Sequence, residues 1–358
     1  MRSETLAAPS PATVPATAPG TVPATAPATA VAQPPVLGLD IGGTKLAAAV
    51  VGQDGSTHGW QVEPTHRERG PADVIGRLFA MGRRAVAAAG LDQPVQAVGV
   101  SCGGPLDADR GVLLAPFHLP GWVDVPIVAM AEAEFGLPAG LRNDASAAVL
   151  AEHAYGAGRG LATVVYLTIS TGVGGGMVMD GRLHLGAAGN GGELGHLTVR
   201  PGGRACSCGR RGCLEAYCSG TSIARRGEEA ARSARDGGVA SLLDPAQGVT
   251  AQLVAAAAAQ GDPVALGVWR ETTDLLGQAL TDLVNVLEPD AVILGGGVTR
   301  SGAMLLDPVR EIVRRTGMGP ARRAAQVRLA GLGDAVCVVG AGMVGRDALA
   351  ATTGGDMA

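Results

Sequence analysis

The stretch Val36-Leu37-Gly38-Leu39-Asp40-Ile41-Gly42-Gly43-Thr44-Lys45-Leu46-Ala47-Ala48-Ala49-Val50-Val51 decides how the rest of the chain is read. Two short apolar runs, Val36 to Ile41 and Leu46 to Val51, enclose a glycine turn, which is the pattern of a strand, a tight turn and a second strand. A related stretch returns at Leu167-Thr168-Ile169-Ser170-Thr171-Gly172-Val173-Gly174-Gly175-Gly176. Two such turns facing each other across a cleft would hold a polyphosphate. Glycine lets backbone N–H groups approach phosphate oxygens and accepts positive φ. Taken singly, either loop reads equally as a plain hairpin turn. Neither fits the P-loop spacing of glycine, four residues, then Gly-Lys-Ser/Thr, and neither lies at a strand-to-helix junction as a dinucleotide fingerprint does.

Outward from the first turn the texture alternates, with a helix near Asp73 to Ala89 and a strand at Val95 to Val100. The second half repeats the rhythm: Ala162 to Ile169, Gly175 to Met179, a long helix from about Asp262 with Pro263 in its first turn, and Ala291 to Leu294 running into Gly295-Gly296-Gly297. This is an α/β chain, and its 358 residues exceed one comfortable core and divide into two domains with a cleft between them. The expected division is a small lobe over 36–155, completed by a C-terminal helix at 336–350, and a large lobe over 156–335. Residues 1–35 hold eight prolines, repeat Ala-Thr-Ala-Pro-like units and carry no charge after Glu4, so they read as a disordered tail. Prolines at 9, 11, 15, 19, 23 and 27 interrupt any continuous apolar stretch of a signal peptide.

Net charge is −4, no Lys/Arg cluster exceeds a pair, and aromatic residues are only 3%, so the footprint of a nucleic-acid binder is missing. Apolar runs such as Leu161 to Ile169 are strand-length, far below the roughly 20 residues of a membrane span, so a soluble protein is expected. Three of the six cysteines crowd into Cys206, Cys208 and Cys213, a spacing that suits one metal ion better than disulfides and points to a reducing cytoplasm.

Several side chains carry chemistry. Asp40 stands at a strand end, placed to hold water around a Mg²⁺ that bridges phosphates. Thr44 offers a hydroxyl, and Lys45 is the only lysine in the chain. Gly140-Leu141-Arg142-Asn143-Asp144-Ala145 reads as a strand end entering a helix, with Asp144 in the cleft to take the proton of an acceptor hydroxyl. The alternative is that Asn143 or Asp144 simply caps that helix. The strongest signal is Gly192-Glu193-Leu194-Gly195-His196, nine residues, then Cys206-Ser207-Cys208-Gly209-Arg210-Arg211-Gly212-Cys213-Leu214-Glu215. One His and three Cys in 18 residues form a tetrahedral Cys₃His set, closed by protein and therefore structural, for zinc. One ring nitrogen of His196 stays free to hydrogen-bond. With Glu193 and Glu215 flanking the loop, this makes a frame suited to a polyhydroxylated ligand. Cys102, Cys218 and Cys337 lie outside the pattern.

Together these elements resemble the ROK family of bacterial sugar kinases and related repressors, from about Val36 to Gly345. The resemblance rests on Asp40 to Lys45, Asn143-Asp144, Ser170 to Gly176, Gly192 to His196, Cys206 to Gly209 and Gly212 to Glu215. It implies a two-lobed, actin-like (ribonuclease H-like) ATPase fold, with ATP and Mg²⁺ in the interlobe cleft and a homodimeric assembly. It implies ATP-dependent phosphorylation of a hexose, glucose or an N-acetylated mannosamine or glucosamine, with Asp144 as catalytic base. Gly104, Asn143, Glu193, His196 and Glu215 would hold the sugar. Gly42, Gly43, Thr44, Lys45, Thr171 and Gly172 would face phosphates, Gly295, Gly296 and Gly297 would lie near the nucleoside, and zinc would fall on His196, Cys206, Cys208 and Cys213. Family kinases often read Pro-Asn-Leu-Pro-Gly-Trp where this chain has Pro116-Phe117-His118-Leu119-Pro120-Gly121-Trp122, so His118 takes the place of a sugar-binding Asn. Either His118 reads the sugar, or it points to solvent while Phe117 packs. A family repressor would need a helix-turn-helix ahead of this region, and the Pro/Ala/Thr tail does not supply one.

Overall fold

The computed structural model describes residues 33–354, so the tail expected over 1–35 falls almost wholly outside the described residues. The first half contains β1 (Val36–Ile41), β2 (Lys45–Val51), β3 (Thr57–Pro64), α1 (Gly70–Ala88), β4 (Val98–Cys102), β5 (Leu106–Asp107), β6 (Val112–Leu113), α2 (Ile127–Phe135), β7 (Ala139–Asn143) and α3 (Asp144–Tyr155). The second half contains β8 (Val164–Ile169), β9 (Val173–Met179), β10 (Arg182–Leu183), α4 (Glu215–Cys218), α5 (Gly220–Asp236), α6 (Ala251–Ala259), α7 (Pro263–Leu287), β11 (Ala291–Gly295), α8 (Ala303–Thr316), α9 (Gly319–Ala324), β12 (Gln326–Leu329) and α10 (Val336–Gly354).

Two five-stranded sheets result, ordered β3-β2-β1-β4-β7 and β10-β9-β8-β11-β12. In each, the first three strands run antiparallel and the last two lie parallel to the first. The two halves therefore repeat one topology, the mixed sheet of the actin-like ATPase fold. Successive residues of β1 and β2 point to opposite faces. Leu39, Ile41 and Leu46 pack with Leu78 and Met81 of α1, while Val36, Ala47 and Val51 pack with Val338 and Val339 of α10. A sheet covered on both sides explains why β1 reads as a continuous apolar run rather than an alternating one.

Boundaries moved where local chemistry intervened. Helix α1 begins at Gly70, ahead of the expected Asp73, because Pro71 fits the first turn of a helix. Helix α7 begins at Pro263 as its sequence suggests, with the Asp262 side chain accepting the Ala265 N–H at 2.8 Å. Strand β9 starts at Val173, so Gly174, Gly175 and Gly176 lie within a strand and do not line a loop. A Cβ at Gly176 would lie 2.6 Å from the Ala145 carbonyl oxygen, and one at Gly175 would lie 2.5 Å from Leu194 Cγ. These glycines admit neighbouring protein, not phosphate.

Among the described residues α10 is the one helix long and apolar enough to cross a membrane by length and composition. Here it lies across the first sheet and against α3. A Cβ at Gly38 would lie 2.2 Å from the Val338 carbonyl oxygen, one at Gly340 2.0 Å from that of Ala147, and one at Gly99 1.6 Å from that of Ala341. Gly99→Val therefore forces helix and sheet apart, and we expect it to lower unfolding free energy by about 3 kcal/mol or more in denaturant titrations. Gly76→Ala, on α1 with nothing within 4 Å of its Cβ, should leave stability unchanged or raise it by up to about 1 kcal/mol.

Candidate active site

The carboxyl ends of β1, β4 and β7 are in register, Ile41 beside Cys102 and Cys102 beside Asn143, with Asp40 paired to Ser101 one residue earlier. This brings Asp40, the Gly42–Lys45 turn and the start of α3 to one edge, where open α/β sheets place their ligands. In the second sheet Thr168 and Gly295 are neighbours in the same way.

Gly42 N–H donates to the Lys45 carbonyl at 3.0 Å and closes the first turn. Thr44 is exposed, and Lys45 Nζ lies 3.6 Å from Asp334 Oδ1. Asp334 also accepts from Arg300 Nη2 at 3.0 Å. Asp40 is buried and accepts from Ser101 Oγ at 2.7 Å. Burial raises its carboxyl to about 7 despite that bond; the charge of Asp144 adds to the rise and Lys45 opposes it.

Asn143 is the cap of α3, its Oδ1 accepting the N–H groups of Ala145 at 2.9 Å and Ser146 at 3.4 Å. The helix end is thus satisfied by Asn143, although Asp144 Oδ1 also accepts from Ala145 N–H at 2.8 Å. Burial raises the Asp144 carboxyl, with His118 pulling it down.

His118 turns inward. A Cβ at Gly43 would lie 3.1 Å from His118 Cδ2, and one at Gly103 would lie 2.4 Å from His118 Cε1, so the ring rests on both glycines. Phe117 is 67% exposed, which overturns the alternative of a solvent-facing His118 beside a packed Phe117. Arg67 Nη1 donates to the His118 carbonyl at 3.3 Å. Burial holds the imidazole below the ordinary histidine range, the Asp144 charge and the Ile41 backbone oppose this, and Arg67 adds to the lowering.

A Cβ at Gly104 would lie 3.6 Å from Asn143 Nδ2 and 3.7 Å from Glu193 Oε1, so these three residues border one gap. Glu193 is raised first by partial loss of solvent, with His196 opposing and the charges of Asp144 and Glu215 adding. Glu215, at the start of α4, accepts the Val173 N–H at 3.0 Å through Oε2 and Ser207 Oγ at 3.0 Å through Oε1. A Cβ at Gly172 would lie 2.7 Å from Glu215 Oε2, so a side chain there would have to displace that carboxylate. Thr171 is exposed, and its carbonyl accepts from Thr221 Oγ1 at 2.9 Å. Of the second glycine cluster, Gly295 abuts the Tyr166 hydroxyl and Gly296 takes φ 87° against Ile169, while Gly297 faces open space.

His196, Cys206, Cys208 and Cys213 offer ligand atoms that all lie within 4.8 Å of one another. His196 Nδ1 is 3.6 Å from Cys206 Sγ, and Cys208 Sγ is 3.7 Å from Cys213 Sγ. Zn–S bonds of about 2.3 Å give a tetrahedral edge of about 3.8 Å, close to these two spacings. His196 Nε2, on the far side of the ring, is 3.9 Å from Glu193 Oε2. Ser101, Thr65, Arg67, Ser207 and Asp334 escaped the sequence reading. Apart from Ser207, which sits inside the cysteine motif without a role of its own there, none belongs to a motif, and each matters only through a partner that the fold brings to it.

The ROK family model matches residues 36–348. A glucokinase of Thermotoga maritima is 36% identical over 278 residues, covering 78% of this chain and 86% of that relative. A glucokinase of Streptomyces coelicolor is 33% identical over 315 residues, covering 87% and 97%. The crystal structure of a ROK family glucokinase from Streptomyces griseus in complex with glucose and AMPPNP superposes with a TM-score of 0.74 at 35% identity, covering 87% of this chain and 99% of that one. The chain belongs to the ROK family and is a sugar kinase, a phosphotransferase.

Proposed function

We propose that this protein transfers the γ-phosphate of ATP to a hydroxyl of a hexose, glucose first among them, with Asp144 as general base. The observation that carries this reading is the place of one carboxylate: Asp144 opens α3 at the sheet edge that holds Asp40 and the Gly42–Lys45 turn, directly after Asn143, whose Nδ2 borders the gap shared with Gly104 and Glu193. As the acceptor oxygen bonds to phosphorus, an Asp144 oxygen takes its proton and the bond to the ADP oxygen breaks. Partial burial raises the basicity of that oxygen, in the direction the step needs.

Asn143 Oδ1 is committed to the helix cap, which leaves Nδ2 to donate to the sugar. Glu193, Glu215 and His196 Nε2 supply the remaining partners, and His118 occupies the wall between sugar and phosphates. The turn Gly42–Lys45 and the hairpin at Thr171 and Gly172 face phosphates from the two halves, with the nucleoside against Gly297 beyond Gly295 and Gly296. The halves would act as lobes that close on the sugar. Asp40, buried, and Asp144 stand at one sheet edge, which fits Mg²⁺ held by Asp40 through water. The ion would neutralise charge developing on the transferred phosphoryl group. Zinc on His196 Nδ1, Cys206, Cys208 and Cys213 would fix the His196 ring and hold Ser207 against Glu215.

Asp144→Asn should fold normally, because the cap belongs to Asn143, and should bind sugar while kcat falls by about 10² to 10⁴. A variant that keeps most of its turnover would remove Asp144 from the mechanism. Elemental analysis of protein purified without chelator should find about one zinc per chain, and Cys208→Ala should lose the metal together with sugar affinity. Protein lacking zinc after such a preparation would refute the site. For His118→Asn, ratios of kcat/KM among glucose, mannose and their N-acetylamino derivatives should shift by about 5- to 150-fold. Unchanged ratios would show that position 118 does not read the substrate, and a panel with no ATP consumption on any hexose would end the kinase reading.

A further inference from the structure

We infer that Thr65, a residue outside every motif, is the positioning residue that gives the Gly42–Lys45 turn its phosphate-binding shape. The inference rests on the reading that this turn faces the phosphates of ATP. Thr65 follows β3 directly and is fully buried. Its Oγ1 donates to the Gly42 carbonyl at 2.7 Å, and its backbone N–H donates to the Thr44 carbonyl at 3.0 Å. One residue therefore grips the turn on both sides of Gly43.

The grip has a directional consequence. In a trans peptide the C=O and the following N–H point in opposite directions. Drawing the Gly42 carbonyl toward Thr65 thus aims the Gly43 N–H away from it, and among the described residues that N–H has no hydrogen-bond acceptor. A backbone donor held in this way is what a phosphate oxygen needs, and it is preorganised before nucleotide arrives. Thr65 is itself tied down from behind. Arg77 on α1 donates through Nη2 to the Thr65 carbonyl and through Nη1 to the Pro64 carbonyl at 2.9 Å, and its Nε donates to Asp73 at 2.8 Å. The order of support runs from α1 through Arg77 and Thr65 to the turn.

Thr65→Val keeps the volume and the backbone bond to Thr44 but strands the Gly42 carbonyl; Thr65→Ser restores the hydroxyl. Binding of Mg·ATP is measured by calorimetry without sugar, beside KM for ATP and for glucose, kcat and thermal unfolding. Thr65→Val should weaken nucleotide binding and kcat/KM for ATP by about 5- to 20-fold, KM for glucose should stay within about 2-fold, and Thr65→Ser should return to near wild type. Equal losses for ATP and glucose, unchanged ATP binding, or no rescue by serine overturns the inference. If Thr65→Val does not fold, Arg77→Met serves instead: it frees the Thr65 carbonyl and should give a smaller loss selective for ATP, whereas an unselective loss overturns the inference. Wild-type protein that binds Mg·ATP yet phosphorylates no sugar would refute the kinase reading alone, since the binding comparison does not need turnover.

Discussion

The site depends on how closely α3 is held between its neighbours. On one side the Ala145 carbonyl presses on β9 where only Gly176 leaves room; on the other, the Ala147 carbonyl presses on α10 at Gly340. The two ends of the helix are pinned as well. Asn143 satisfies its first N–H groups, and Glu152, fully buried, accepts the N–H groups of Ala157 at 2.7 Å and of Gly331 and Leu332 at 2.9 Å each. A carboxylate with three backbone donors compensates its own burial and stitches two loops to the helix. Asp144, at the first position of this strut, inherits a position that no side-chain rotation elsewhere can easily disturb. α10 in turn lies on the first sheet through Gly38 and Gly99, so the same short-contact packing carries from sheet to helix to helix to the second sheet.

Against that rigid frame the electrostatics are unbalanced. Asp40, Asp144 and Glu193 are all raised, each first by loss of solvent, and Asp144 acts on both of the others. Hydrogen bonds from Ser101 to Asp40 and from Ala145 to Asp144 push the other way, as do the cationic groups Lys45, His118 and His196, and His118 is itself held toward its neutral form by burial. Such a cluster is stabilised by arriving cations and by donors from polyols, which is the complement of a magnesium–nucleotide complex and a sugar. The buried arginine and a cation of the cysteine loop are engaged elsewhere. Arg226, buried, is spent on the Tyr217 carbonyl, Thr272 and Glu271, and Arg204 on Glu229, beneath the cysteine loop.

What the sequence disclosed follows the range of the interactions. The Cys₃His set is legible because four ligands within 18 residues can converge only locally, and β1 is legible because its apolar run is its burial. Asn143 and Asp144 are legible as a pair, but their division of labour needs the helix geometry: Asn143 caps through two N–H groups, and Asp144 shares only that of Ala145. Gly174 to Gly176 were read with a phosphate loop although helix α3 and Leu194 explain them, since a sequence shows an absent side chain without showing what fills its space. Ser101 and Thr65 could not be read at all. Their partners, Asp40 and Gly42, lie 61 and 23 residues away, and each hydroxyl is an ordinary one until strand register brings it into contact.

Lys45 shows how a weak interaction bears on a strong assignment. Its ammonium pairs with Asp334, which also takes Arg300 from the turn after Gly297, so one carboxylate holds a cation from each half. All three side chains are substantially exposed, at 44%, 65% and 65%. Exposed pairs of this kind contribute about 0 to 1 kcal/mol, less than the charge-assisted bonds a phosphate group offers, roughly 1.5 to 3 kcal/mol each. The pairing with Asp334 therefore does not compete with a phosphate role for the only lysine in the chain. A polyanion entering between the two turns would meet cations whose present partner binds them more weakly than it would.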